Sequence, residues 1–577
     1  MLDRLIDDVR FHVPVIFALG LSLYFPFLGA RDFWGHENDF AEVTRVMLLD
    51  GDFWFPKVNG NAWTHNPPLF FTLTALFSWL IGRAGEWSIR LVPAVSAIVF
   101  VFFSYRFLAR HFDARFAFLA TLVLATSLLT IHVERHLPIN MVFFLFVILS
   151  MFLLAEVIVF DSTHRIHSYG FWAFMGLACL TKGAVGIFLP LLVTILYLSL
   201  SGGWKKVLAL RPLSGGLLFF AVISPWFLFA PGKRTDVAAN VFPQHQHLTD
   251  VYRLIHEYVR QFPKSIIYSV ANFPVDFLPW SFLLIPAAMY LWRDRGKLRE
   301  GAGLFLLLWV LSAFFLPQYF VEDHSHYLFL LVLPSAVAMG AFLDRLLRAD
   351  EHDPVHGYTH RAIIAFCFFR AVAGFVFPIA AHFTWPEMIL RSGALGSLFV
   401  VAALSLFYAL KHTNYPAVVL GFGILMSAIS ALIQGLVLPS VNVIQVRPFA
   451  EKLRTVIKPG SDVGIYAGGH SHDLNFYSAI KRFEELGRYE ELTRFLTGPG
   501  PKFILVRGRK IGALKEYWRS KLDVVLEQTS GGGGVWLPEG PQWVLLLSCN
   551  QECDSTPDVG MVERTSHPLE HLPQSMK

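Results

Sequence analysis

Residues 139–160 read INMVFFLFVILSMFLLAEVIVF, with one acid in twenty-two positions. At 1.5 Å per residue such a run spans about 33 Å as a helix, enough for a bilayer core of roughly 30 Å. Working outward, comparable apolar segments occur at Val13–Gly29, Pro67–Gly82, Leu91–Leu108, Phe116–Ile131, Tyr169–Leu180, Gly183–Leu200 and Leu213–Ala230. After a polar stretch they resume at Phe273–Trp292, Ala302–Leu316, Tyr327–Phe342, Ala362–Ala381, Gly393–Leu410 and Pro416–Leu438. The composition agrees: 54% hydrophobic, 16% charged, with 55 phenylalanines in 577 residues and a mean hydropathy of +0.50. Disordered, coiled-coil and disulfide-scaffold classes are excluded. The expected fold class is an α-helical polytopic membrane protein of about 13 transmembrane helices, with an outer interfacial loop helix and a small C-terminal α/β soluble domain.

The count of 13 rests on charge. With the N-terminus inside and Pro67–Gly82 not crossing, the inner loops carry Arg106, Arg110, Arg115, Arg165, Lys205, Lys206, Arg211 and Arg293–Arg299, while short outer loops hold only Arg135, Lys182 and Arg391. Pro67–Gly82 then either lies in the interface or forms a broken element with its neighbour. Residues 1–442 form the membrane domain, with outer loops at 31–66 and 231–272. Residues 443–577 form the C-terminal domain on the periplasmic side of the inner membrane. Strands are expected at Val463–Tyr466, Phe503–Val506, Val524–Leu526 and Trp543–Leu547, and helices at Asp473–Ile480, Tyr489–Leu496 and Ile511–Trp518. Net charge is +5 with no basic tract, so a nucleic-acid partner is not expected. Cys179 and Cys367 read as packing residues, and Cys549 and Cys553 as a disulfide pair if the tail is in an oxidising compartment. Arg370, inside an apolar segment, is expected to snorkel.

Chemistry concentrates in the first outer loop. Asp39–Leu49 has helical spacing, with Phe40, Val43, Met47 and Trp34 as its apolar face, so it reads as an amphipathic helix at the membrane surface. His36, Glu37 and Asp39 gather at its start, where the helix dipole favours a carboxylate. They read either as catalytic groups or as a helix cap with solvated acids.

The ordered series Glu37-x-x-Phe40-Ala41-Glu42, Gly51-Asp52, Asn66-Pro67-Pro68-Leu69, Arg90-Leu91-Val92-Pro93, Arg135 with Asn140-Met141, Leu180-Thr181-Lys182-Gly183, Pro225-Trp226, Leu278-Pro279-Trp280-Ser281 and Tyr327-Leu328 resembles the C-type membrane glycosyltransferases. The branch is that of the lipid A aminoarabinose transferases and dolichyl-phosphate-mannose protein mannosyltransferases. The resemblance implies glycosyl transfer from a polyprenyl-phosphate sugar to a lipid, glycan or protein acceptor at the outer face of the inner membrane, as in cell-envelope or lipid A modification. Departures are His36-Glu37 where the family carries an Asp-Glu pair, Asn66 in place of a lysine, and Asn140 in place of an acid.

Such chemistry needs a carboxylate for the acceptor proton and cations for the departing phosphate. Glu37 is the expected base, with Asp39 as substitute and His36 beside them. Lys182, Arg135, Arg260 and Lys264 are expected on the donor phosphate, and His65, Asn66, Asn140, His324 and His326 in the substrate pocket. The set His132-x-Glu134-x-His136, in strand or loop geometry, reads as a divalent-cation site or as histidines hydrogen-bonding the donor; no other cofactor is expected. Competing classes are a non-catalytic lipid-linked-sugar binding protein and a lipid or sugar transporter. The latter is disfavoured because charges collect at one face rather than at midplane.

Overall fold

The computed structural model describes residues 2–229, 270–293, 301–315, 327–349, 353–384, 386–441, 446–457, 461–466, 472–500 and three later strands within 502–548, with a few isolated positions besides. Arg260, Lys264, His324, His326, the expected helix Ile511–Trp518 and the Cys549–Cys553 pair lie outside the described residues.

The chain opens with α1 (Leu2–Asp7), α2 (Val9–Tyr24), α3 (His36–Asp50), a hairpin of β1 (Lys57–Val58) and β2 (Asn61–Ala62), and α4 (Leu69–Ile81). Next come α5 (Glu86–His111), α6 (Ala114–Thr126), α7 (Leu128–His136), α8 (Pro138–Ile158), α9 (Arg165–Lys182), α10 (Val185–Ser201) and α11 (Pro212–Phe229). Beyond them lie α12 (Leu284–Arg293), α13 (Gly301–Phe315), α14 (Phe329–Arg348), α15 (Pro354–Thr384), α16 (Ile389–Lys411) and α17 (Tyr415–Leu432). Among the described residues six helices are long and apolar enough to cross a membrane, or nine if each of three bent pairs is one span. On α15 and α16 large apolar side chains such as Phe368, Phe375, Phe383 and Leu390 face outward, which only a hydrocarbon solvent tolerates at this density. Arg370 does not snorkel: its guanidinium is buried between the rings of Phe366 and Phe399, 5.4 and 4.8 Å away.

The segment expected as one crossing at Phe116–Ile131 is broken. Ser127 is extended (φ −65°, ψ 137°) and α7 turns 50° from α6. The freed backbone groups are satisfied in place: Leu128 N donates to Leu278 O at 2.8 Å, and Thr130 Oγ1 donates to Leu124 O at 2.8 Å. The bend turns Glu134 and Arg135 into the bundle.

Helices approach closely where small residues meet. A Cβ on Gly340 of α14 would lie 2.7 Å from the Ala120 Cα of α6, so only glycine permits this packing. Aromatic stacking completes the centre, with Phe144 and Phe329 rings 4.7 Å apart.

After α18 (Val446–Val456), a five-stranded sheet is ordered β4-β3-β5-β7-β6, from β3 (Asp462–Tyr466), β4 (Glu484–Leu486), β5 (Lys502–Arg507), β6 (Leu522–Glu527) and β7 (Trp543–Ser548). β3 runs parallel to β4 and β5, and β7 antiparallel to β5 and β6. Strand alternation serves both faces: Ile504 and Val506 pack with α20 (Tyr489–Leu496), while Leu505 packs with α18 and α19 (His472–Ser478). The short strand β4 was not expected from the sequence; three residues carry too little periodicity to stand out.

Replacing Gly340 with leucine is expected to push α14 off α6 and destabilise the fold by about 1–3 kcal/mol. A thermal melt of the purified protein in detergent, compared with the unaltered chain, checks this.

Candidate active site

Helix α3 forms where expected, but it is an interior element. Phe40, Val43 and Met47 are buried on Phe70, Phe71, Ile139 and Val142. The opposite side meets α19 and the segment after it: Arg45 Nη2 donates to Ile480 O at 3.2 Å, and Asp39 Oδ1 lies 2.7 Å from His472 Nδ1. Trp34, expected on the apolar face, is 64% exposed: it precedes the helix and points away from it.

The hairpin below α3 is built by Asn59-Gly60, whose φ angles of 49° and 80° suit a two-residue turn. Asn59 joins the two parts of the molecule: its Nδ2 donates to Glu485 Oε1 at 3.0 Å, and its Oδ1 accepts from Asn475 Nδ2 at 3.0 Å.

Glu37 occupies the centre of the loop base. Its Oε2 accepts from Arg31 Nη1 at 2.7 Å, Trp34 N at 3.2 Å and Arg90 Nη2 at 3.1 Å, and its Oε1 accepts from Arg90 Nε at 3.1 Å. The side chain is 4% exposed. Burial works to raise its pKa, but the Arg90 and Arg31 guanidinium groups outweigh it and hold the carboxyl below its usual range. Glu37, the expected base, is engaged as an anchor of the loop: its Oε2 accepts from three donors inside the protein and its Oε1 from Arg90.

The accessible groups lie within the same turn of helix. The His36 side chain is 89% exposed, and its Nδ1 lies 3.3 Å from Asp39 Oδ2. Asp39 thus sits between two imidazoles, His36 and the buried His472. With both Nδ1–H groups donating, the carboxylate fixes the ring tautomers and leaves His36 Nε2 as an acceptor toward solvent. Trp63 continues the patch, its ring 4.7 Å from His65 and 6.2 Å from His472.

Lys182 ends α9, where Gly183 (φ 80°, ψ −157°) breaks the helix in a conformation restricted to glycine. Its Nζ donates to Asn140 Oδ1 at 2.5 Å and lies 4.8 Å from the Tyr327 ring centroid. Asn140 is flanked by Ile139, which packs beneath α3, and Leu180 of α9 packs near Trp54 and Leu69. Lys182 and Asn140 therefore lie at the α3 end of the bundle.

Arg135 reaches that region but does not face outward. It is buried, its Nη2 donates to Leu23 O at 3.0 Å, and its own carbonyl accepts from Arg31 Nη2 at 3.2 Å. It braces the floor beneath Glu37. The arrangement expected for metal binding is also corrected. His132, Glu134 and His136 lie on helix α7, the two rings stacked 4.9 Å apart on one face and Glu134 buried against Arg135 at 3.0 Å. Among the described residues no group of three His, Cys, Asp or Glu side chains is disposed to hold a metal ion. His65 is exposed and Asn66 half-buried at the loop's return to the bundle.

Residues 65–229 match the family model described as dolichyl-phosphate-mannose-protein mannosyltransferase. An uncharacterised protein of Aquifex aeolicus is 26% identical over 487 residues, covering 81% of this chain and 87% of the relative. An undecaprenyl phosphate-alpha-4-amino-4-deoxy-L-arabinose arabinosyl transferase of Pseudomonas aeruginosa is 28% identical over 59% of this chain; the match spans 61% of that protein's length. The crystal structure of ArnT from Cupriavidus metallidurans in the apo state superposes with a TM-score of 0.72 at 17% identity, over 93% of this chain and 97% of that one. Its form bound to undecaprenyl phosphate gives the same score at 18% identity, over 93% and 98%. The chain is thus similar in sequence to the arabinosyl transferase and shares the fold of the two solved structures.

The mannosyltransferase match covers His65, Asn66, Arg90, Arg135, Asn140 and Lys182, but not His36, Asp39 or His472. Sequence reasoning missed His472 and the structural partners Arg31 and Arg90. Arg90 was visible within Arg90-Leu91-Val92-Pro93, whereas nothing local marks His472 as the partner of a residue 433 positions earlier.

Removing the Glu37 charge leaves two buried arginines facing each other. Glu37→Ala is expected to destabilise the protein by about 3–5 kcal/mol. Because the folded-state pKa lies below the reference 4.5, this contribution is complete above about pH 4.5 and is lost as pH falls through the lower, folded-state value. Melting curves of both proteins between pH 4 and 7 check the size and the sign: the gap is constant at neutral pH and narrows only in acid.

Proposed function

We propose that this protein transfers a glycosyl group from a polyprenyl-phosphate-linked sugar to a hydroxyl acceptor at the outer face of the inner membrane. Residues 1–442 form the 13-crossing catalytic domain, and residues 443–577 form a periplasmic domain that completes the site. The observation that carries this reading is the exposed His36 imidazole aligned on Asp39, at the same end of the bundle as Lys182. Family likeness supports the donor class, since one superposed relative was solved with undecaprenyl phosphate.

In this reading the acceptor oxygen attacks the anomeric carbon while its proton passes to His36 Nε2. The bond from that carbon to the phosphate oxygen breaks, and the lipid phosphate leaves with the electron pair. Inversion at the anomeric carbon follows from a single displacement. Asp39 stabilises the imidazolium that forms, as a carboxylate beside a catalytic histidine does. Lys182 meets the charge developing on the departing phosphate, with Asn140 orienting its ammonium and the Tyr327 face shielding it. Glu37 and Arg135 hold the loop and touch no substrate.

The test is sugar transfer from a radiolabelled polyprenyl-phosphate sugar by purified protein. His36→Ala and Asp39→Asn are each expected to lower the rate by about 10²–10⁴-fold, and Lys182→Ala by about 10²-fold or more, with melting temperatures unchanged. Full transfer by the His36 and Asp39 variants would remove the base assignment. Donor binding without any transfer by the unaltered chain would make it a lipid-linked-sugar binding protein instead.

A further inference from the structure

A second feature lies at the other end of the membrane domain. On α5, Arg106 follows Arg90 by sixteen residues, about 24 Å of helix rise, so it sits across the membrane from the α3 site. There α5, α8 and α9 enclose a groove of about 660 Å³. Its length is apolar, lined by Phe103, Phe146, Leu149 and Phe174, and its end carries Arg106 and Arg110. Glu156, also at that end, is buried and already engaged: its Oε1 lies 2.8 Å from His111 Nε2 and 3.5 Å from Arg110 Nη1, and its Oε2 lies 3.8 Å from His167 Nδ1. The neighbouring acids are likewise paired, Asp161 with Lys206 at 2.6 Å and Asp113 with Arg348 at 3.0 Å. Arg106 is exposed. The groove mouth therefore carries a net positive charge, two guanidinium groups against one carboxylate, even with both histidines neutral.

We propose that this groove binds an anionic membrane phospholipid, with its phosphate on Arg106 and Arg110 and an acyl chain along Phe103, Phe146, Leu149 and Phe174. Charge complementarity selects the occupant. A guanidinium matches a phosphate in two-pronged geometry, and each basic group near a bilayer surface favours an anionic headgroup. A zwitterionic lipid gains the same apolar contacts but carries its own cation toward the two arginines. The site is independent of the catalytic reading, because no group assigned to transfer takes part in it.

Native mass spectrometry of the full-length protein in detergent, with phosphatidylglycerol and phosphatidylcholine of matched chains, tests the proposal. Phosphatidylglycerol is expected to be retained at least about fivefold better. The double variant Arg106→Gln/Arg110→Gln should bring that ratio near one at an unchanged melting temperature. Leu149→Trp, which fills the apolar part, should lower phosphatidylglycerol retention, and Arg106→Lys/Arg110→Lys should keep the preference. Should the glutamine variant fail to fold, the tryptophan and lysine variants decide the question. Equal retention of both lipids by the unaltered protein, a preference surviving in the glutamine variant, or phosphatidylglycerol retention unchanged in the tryptophan variant would overturn the assignment.

Discussion

A carboxylate clasped by two guanidinium groups in the protein interior governs the geometry of the α3 end of the bundle. Glu37 joins Arg31, on the chain entering the loop, to Arg90, near the start of α5. Arg90 in turn donates to the carbonyls of Leu28 and Arg31 at 2.7 and 2.9 Å, and Arg31 donates to the carbonyl of Arg135. Desolvating three charges is costly, and excellent geometry with filled hydrogen-bonding positions is what offsets the cost. The result is a loop anchored at its base. Asp39 and His36, within one turn of that anchor, inherit a fixed position without being consumed by it.

Preorganisation of this kind suits catalysis by positioning. The exposed imidazole owes its orientation to Asp39, and Asp39 is held from behind by His472 of the C-terminal region. On the bundle side, Lys182 is set by a glycine-terminated helix and by Asn140. Rigid elements therefore supply both halves of the proposed site, and α19 contributes the imidazole of His472 to it.

Much of this was legible in the sequence. Hydropathy located the membrane helices, and 3.6-residue spacing located α3, because burial in an apolar medium imposes those patterns directly. Strands such as β3 and β5 were legible as short apolar, β-branched runs, because both faces of the sheet are covered. The ordered motifs led to the glycosyltransferase relatives. What could not be read was pairing. Glu37 looked like a base because sequence shows a carboxylate but not the two arginines that occupy it. Ser127 looked like one more residue of a continuous helix, since its extended backbone depends on a bond from Leu128 to Leu278, far away in the chain. Helical phase also defeated the metal reading, since spacing that suits a strand separates His132 and Glu134 around a helix.

The amide of Asn59 has a consequence for assembly of the chain. It sits within the first 60 of 577 residues, yet its partners Asn475 and Glu485 are synthesised more than four hundred residues later. Until those arrive, the hairpin tip and the Glu42–Arg45 face of α3 must wait uncovered while the helices from α4 to α17 are made. Maturation of the α3 end is thus a late event in biosynthesis, and a nascent chain halted before the sheet would carry its opening loop unfinished.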